Sequence, residues 1–174
     1  SGIFYVFYDP DQNIFNSPDK IPIEGIEIIL SKNCRNTKNI FSELKRLASF
    51  DIISHEELPE GAEIQRYLLD SPSHLRIKLS QLLHDLVTNQ GIKEDQIVIL
   101  GTHKLINTSL GKDNTAGKFS IVENGIPSIN TIPFFTCMKY KGLESDVVIL
   151  LDYQDARWEK NYFKYTAISR AKHL

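Results

Sequence analysis

Apolar positions along the chain alternate between short continuous runs and stretches spaced three or four residues apart. Ile3 to Tyr8 is a β-rich run closed by Asp9-Pro10, and Ile26 to Leu30 is a second short apolar run. Ile40, Phe41, Leu44, Leu47 and Ala48 then return at helical spacing, with Asn36 as the candidate cap. Glu63 to Leu69 alternates and predicts a strand. Ser71-Pro72 opens a helix, because proline's missing N–H costs nothing at the first helical position. Leu75, Leu79, Leu82, Leu83 and Leu86 line one face of that helix, and Asn89-Gln90-Gly91 ends it. Gln96 to Gly101 and Asp146 to Leu151 hold continuous β-branched runs, the pattern of strands buried on both faces. Gly111 to Asn130, rich in Gly, Asn, Ser and Lys, reads as a loop or ribbon on the surface. A last helix is predicted from Asn161 towards Lys172.

Strands separated by helices predict an α/β domain, with a mostly parallel sheet carrying helices on both faces. In such a fold the last helix normally feeds another strand. The stop at Leu174 therefore predicts a sheet lacking its last strand, in a piece cut from something longer.

Composition narrows the class without naming a function. At 174 residues, 41% apolar and 24% charged, the chain is long enough for one ordinary core, and disorder, collagen and coiled coil are excluded. No apolar run, Val147 to Leu151 included, is long enough to span a membrane, so no membrane partner is expected. Cys34 and Cys137 fit no metal-ligand spacing and read as reduced thiols, which predicts a cytoplasmic protein. No metal site is predicted: the five histidines form neither a metal nor a hydrolase signature.

Charge changes the picture more by position than by total. The net value is −2, yet Ser31 to Arg46 carries five bases against the single acid Glu43. Asp51 to Leu100 carries nine acids against four bases, and from Ile132 onward bases lead seven to five. Clustered bases attract phosphates, but a solvated face is the ordinary explanation of such clusters, and charge by itself decides nothing.

Ligands of parallel α/β sheets gather beyond the carboxyl ends of the strands. The residues after each apolar run are polar and cationic: Asp9 to Gln12, Ser31 to Asn36, Gly101 to Lys104, and Thr136 to Glu144. Together with Thr166 to Lys172 they predict one crowded sheet edge. Arginine suits such an edge, because its planar fork holds a phosphate through two parallel hydrogen bonds. Taken alone, each of these residues reads first as a salt bridge, a strand end or a turn.

Together they resemble a family. Tyr8-Asp9-Pro10-Asp11-Gln12 resembles motif III of superfamily 1 helicases, and Leu30-Ser31-Lys32-Asn33-Cys34-Arg35-Asn36 resembles the motif that follows it. Thr136 to Val148, centred on Lys141-Gly142-Leu143-Glu144, is similar to motif V, and Tyr165 to Lys172 is similar to motif VI. The four motifs stand in the family's order. The resemblance is to the C-terminal RecA-like domain of UvrD/Rep-type helicases. It implies a three-layer RecA-like fold over residues 21–174, with residues 1–20 as the remnant of the N-terminal RecA-like domain.

By that resemblance the chain is the second motor domain of an ATP-dependent DNA helicase or translocase. Gln12 senses the γ-phosphate, Arg35 and Arg170 act as arginine fingers, and Gly142 and Glu144 lie at the nucleotide. Thr136, Phe15 and, from the strand before, Thr102 contact single-stranded DNA or RNA. Cys34 stands where close relatives place an adenine-stacking tyrosine. Between Asn36 and Thr136 there is no room for the large inserted helical subdomain of UvrD itself. No Gly-x-x-x-x-Gly-Lys-Ser/Thr stretch is present, so ATP and Mg²⁺ are expected to be held mainly by the N-terminal domain, the chain's predicted partner. The isolated chain is therefore expected to be inactive. The other reading is a non-catalytic RecA-like module that binds nucleic acid without coupling to ATP.

Overall fold

The computed structural model describes residues 9–12, 26, 28 and 32–174. The predicted strand at Ile3 to Tyr8, the aromatic Phe15, the boundary at residue 20 and most of the run from Ile26 to Leu30 lie outside these residues.

The element order is β1 (Lys32–Asn33), α1 (Lys38–Leu47), β2 (Ile53–Ser54), α2 (Pro72–His84) and β3 (Ile97–Gly101). There follow β4 (Thr115–Ala116), β5 (Phe119–Glu123), β6 (Thr131–Thr136), α3 (Cys137–Tyr140), β7 (Val147–Leu150) and α4 (Asn161–Ile168). β1 and β2 form a parallel pair, and the other five strands form one sheet in the order β4-β5-β6-β3-β7. All its pairings are parallel except that of the short edge strand β4 with β5. The protein is thus a mixed α/β structure with a mostly parallel sheet.

Strand alternation explains the layers. Ile97 and Ile99 of β3 face α2, where Leu79, Leu83 and Leu86 are buried with Phe119, Ile121 and Phe134. Val98 and Leu100 face the other way, onto Cys137 of α3, Trp158, and Phe163 and Ala167 of α4. Every residue of β3 is buried, as a central strand covered on both sides requires. α1 adds Ile40, Phe41 and Leu44 to a third cluster with Tyr165 of α4.

α2 begins as its residues dictate: the Ser71 side chain accepts from the His74 amide, and Pro72 occupies the first turn. The helix continues as a π-helical turn over Asp85–Asn89, and Gly91 follows with φ 71°.

Several predicted elements are corrected. Residues 63–69 form no strand. They lie exposed or half-exposed along a groove of about 1010 Å³ beside α2 and β7. Alternation supplies a face to bury, but without a hydrogen-bonding neighbour it makes no ladder. The Gly111 to Asn130 segment is not all surface, because β5 buries Phe119 and Ile121 within the sheet. β5 returns to its parallel neighbour β6 through residues 124–130 alone, turning at Asn124 (φ 53°) and Asn130 (φ 57°).

The last helix stops at Ile168 rather than near Lys172. Beyond it the main chain lies alongside β7. Ser145 bridges Ala171 in parallel, the Lys172 amide donates to the Ser145 carbonyl at 3.0 Å, and the Val148 amide donates to the Leu174 carbonyl at 2.8 Å. Sheet pairing there outcompetes another helical turn.

Candidate functional site

At the amino end of β7, the loop carrying Gly142 and Glu144 is zipped to the chain that follows α4. The Ser145 amide donates to the Arg170 carbonyl at 3.0 Å, and the Tyr140 hydroxyl donates to the Glu144 carbonyl at 3.0 Å. Gly142 is exposed with φ 92°, a left-handed conformation that a residue with a Cβ adopts only with strain.

Arg170 is the most confined cation of the region, only 4% exposed. Its Nε donates to the Thr166 carbonyl at 3.1 Å, Nη1 to the Leu143 carbonyl at 3.4 Å, and Nη2 to Ser169 Oγ at 2.9 Å and Gln12 Oε1 at 3.0 Å. Burial lowers its pKa below the usual arginine value, and repulsion from nearby Arg35 is the next cause.

Gln12 is itself held on both sides. Its Nε2 donates to Asp9 Oδ2 at 2.5 Å, and its carbonyl accepts from Lys141 Nζ at 2.8 Å. The short turn carrying it is anchored by Asp11, whose carboxylate accepts the Ser49 amide at 2.9 Å. Burial raises the pKa of Asp9, opposed by the hydrogen bonds from Gln12 and the Asp11 amide.

Glu144 collects the exposed cations. Arg35 Nε lies 3.3 Å from Glu144 Oε2 and Lys172 Nζ 2.8 Å from Oε1. The Lys172 hydrogen bond, ahead of any other cause, holds the Glu144 carboxyl below its ordinary range. Arg35 and Lys172 thus share one carboxylate at the surface, with the buried Arg170 guanidinium behind them, leaving a cationic rim. Such a rim attracts an anionic group and offers it guanidinium forks.

The other expected residues sit at the opposite end of the sheet. Thr136 caps α3, its hydroxyl accepting the Lys139 amide at 3.4 Å. Thr102 is 8% exposed and donates to Asp155 Oδ1 at 3.3 Å, while His103 Nε2 lies 3.0 Å from Asp155 Oδ2. The expectation of one crowded edge is therefore corrected. Arg35, Glu144 and Arg170 gather at the amino end of β7, whereas Thr102 and Thr136 lie at the carboxyl ends of β3 and β6. The reason is the course of α4, which carries the chain back across the sheet before Arg170.

Asn36 is also corrected. It does not cap α1; Thr37 occupies that position. Its buried carboxamide instead donates to the Ala171 carbonyl at 2.5 Å, satisfying an acceptor just beyond α4. The partnership of Lys172 with Glu144 has no signal in the sequence, because a helix through Lys172 turns residues 170 and 172 to different faces. Asp155, which braces Thr102 and His103, carried no sequence signal. Among the described residues, no group of three or more His, Cys, Asp or Glu side chains is placed to hold a metal ion. Nor, among them, is any helix long and apolar enough to cross a membrane.

In comparisons with known proteins, no protein-family model and no curated protein matches the chain.

Proposed function

We propose that this chain is the RecA-like second motor domain of an ATP-dependent superfamily 1 helicase or translocase, supplying the arginine half of a composite ATP site. The single observation that carries the reading is that Arg35 and Lys172 share Glu144 while Arg170, bonded to the neighbouring Leu143 carbonyl and to Gln12, stands beside them. A γ-phosphate presented by a first motor domain, with its Mg²⁺, replaces Glu144 as the partner of Arg35 and draws Arg170 Nη2 from Gln12. Both guanidinium groups then stabilise the charge that develops as the γ-phosphoryl group passes from ADP to the attacking water. Gln12 couples that exchange to its own neighbours, Asp9 and Lys141. Gly142 and Glu144 lie beside the nucleotide, and single-stranded DNA or RNA crosses the opposite end at Thr136 and Thr102, with Phe15 as the further contact that the resemblance implies.

The test is made in the protein that joins this chain to its first motor domain. Arg35→Ala and Arg170→Ala are each expected to slow ATP hydrolysis by about 10³-fold or more while nucleotide affinity falls far less. Equal losses in both quantities overturn the finger role. The isolated chain is expected to turn over no ATP. Turnover by it that Arg170→Ala abolishes overturns the two-domain reading.

One observation favours the second reading, a non-catalytic RecA-like nucleic-acid-binding module. Arg170 is buried and its fork already serves four internal acceptors, as a structural arginine would. That reading predicts lost stability in Arg170→Ala and nucleic-acid binding that ATP leaves unchanged.

A further inference from the structure

We propose that the hollow between α1 and α4, lined by Glu43, Arg46, Leu47, Arg66, Tyr153 and Lys164, binds a phosphate and the adjoining base of a single-stranded nucleic acid. This rests on the proposed motor function for the identity of the strand, but on different residues from those that function uses. The hollow has a volume of about 420 Å³.

Glu43 organises it. Its side chain is only 13% exposed, and each carboxylate oxygen takes one arginine: Arg46 Nη1 lies 3.1 Å from Oε2 and Arg66 Nη2 lies 3.0 Å from Oε1. One carboxylate cannot neutralise two guanidinium groups. Lys164, from α4, lines the same hollow, so three cations stand against one anion there. Exposed ion pairs contribute little to stability, which leaves the surplus charge without a structural purpose as large as its electrostatic field.

A concave surplus of arginine selects phosphate, because two fixed guanidinium groups can meet its oxygens in paired hydrogen bonds. Tyr153 argues for a strand rather than a free anion. Tyr153 is 36% exposed, its ring lying 5.9 Å from that of Trp158 and having Lys164 Nζ 5.4 Å from its centroid. Cations that follow a backbone beside an aromatic face that stacks bases are the composition of a single-strand groove. Position agrees with this. Tyr153 follows β7 at its carboxyl end, two residues before the Asp155 that holds Thr102, so the hollow lies at the end where the strand is proposed to cross.

The experiment is fluorescence anisotropy of a labelled oligo-dT, about ten nucleotides long, titrated with this chain across a NaCl series. Arg66→Ala combined with Lys164→Ala is expected to weaken binding at low salt about tenfold or more. It is also expected to flatten the slope of log affinity against log salt by about 0.7 for each phosphate that the variant no longer neutralises. Tyr153→Ala is expected to weaken binding about tenfold, with Tyr153→Phe restoring it and the salt slope unchanged in both. Urea midpoints for each variant show that the fold is retained.

Wild-type affinity and slope in the double variant overturn the hollow. If Thr136→Ala still weakens binding in that case, the strand reading stands and only this site falls. No oligonucleotide binding by the wild type at low salt overturns the hollow as a strand site, whereas ATP hydrolysis by the Arg35 and Arg170 variants judges the motor function separately. Inorganic phosphate that competes as well as unlabelled oligonucleotide, per phosphate, overturns the strand as its occupant.

Discussion

The two ends of the sheet use their polar groups in opposite ways. At the amino end of β7, Arg35, Glu144 and the Arg170 to Lys172 stretch come from three parts of the chain, and Glu144 alone takes both exposed cations, Arg35 and Lys172. At the carboxyl end, the polar atoms are spent on their own loops. Thr136 caps α3, Thr102 donates to Asp155, and Asp155 also accepts the Arg157 amide at 2.8 Å. Arg157 Nη1 in turn donates to the Thr102 carbonyl at 3.1 Å. In the first, the exposed pairs of Arg35 and Lys172 with Glu144 contribute little to stability and can open at little structural cost, whereas Arg170 is held by four internal acceptors. The second holds backbone in place and has few such pairs to open. Surplus charge at that end sits one step outward, in the hollow beside Tyr153.

That contrast fixes where substitutions should hurt stability most. The carboxyl end rests on Trp158, which is fully buried and donates from Nε1 to the Leu151 carbonyl at 3.1 Å. Trp158→Ala removes both the packing and the hydrogen bond, and is expected to cost about 3–5 kcal/mol, read from urea unfolding. A loss below about 1 kcal/mol would mean that this end is not built on that packing. At the amino end the comparable brace is Asn36, buried against the Ala171 carbonyl. Asn36→Ala leaves that carbonyl without its donor and is expected to cost about 1–3 kcal/mol. An unchanged midpoint would show that the amino end is held by its exposed ion pairs instead.

Legibility followed the range of the signal. α2 was readable because Ser71-Pro72 and five leucines carry both its start and its buried face within one local stretch. β3 and β7 were readable because unbroken apolar runs mark burial on two sides. β5 was hidden although Phe119 and Ile121 alternate, because Gly, Asn and Lys around them carry the stronger turn signal. Residues 63–69 erred the other way, since a pattern of faces says nothing about whether a neighbouring strand exists. The end of α4 was misplaced because Ala171 and Lys172 favour helix locally, and only the edge of β7 draws them into a ladder. The meeting of Arg35 with Glu144 had no local signal at all. Only the family resemblance placed those residues near one ligand, and the split of the site residues between two ends depends on the direction of α4.

The smallest expected effect separates the two ends by pH. Tyr165, packed at the amino end with α1, has its hydroxyl pushed from an ordinary 10.0 up to about 12, first by burial and then by Asp9 and Asp11. The unfolded chain therefore releases this proton at lower pH than the folded one does. Its contribution to stability is full below pH 10 and is lost progressively as pH rises towards 12. Cys137, buried under the carboxyl end, is likewise raised, from 9.0 to about 12 by burial, so both ends weaken in alkali. Tyr165→Phe removes only the amino-end share. Urea midpoints at pH 8 and pH 11 should fall for both proteins, but less for the variant. An identical fall in the two would show that Tyr165 ionises as freely in the folded protein as in the unfolded one, and that the carboxylates of Asp9 and Asp11 do not bear on it.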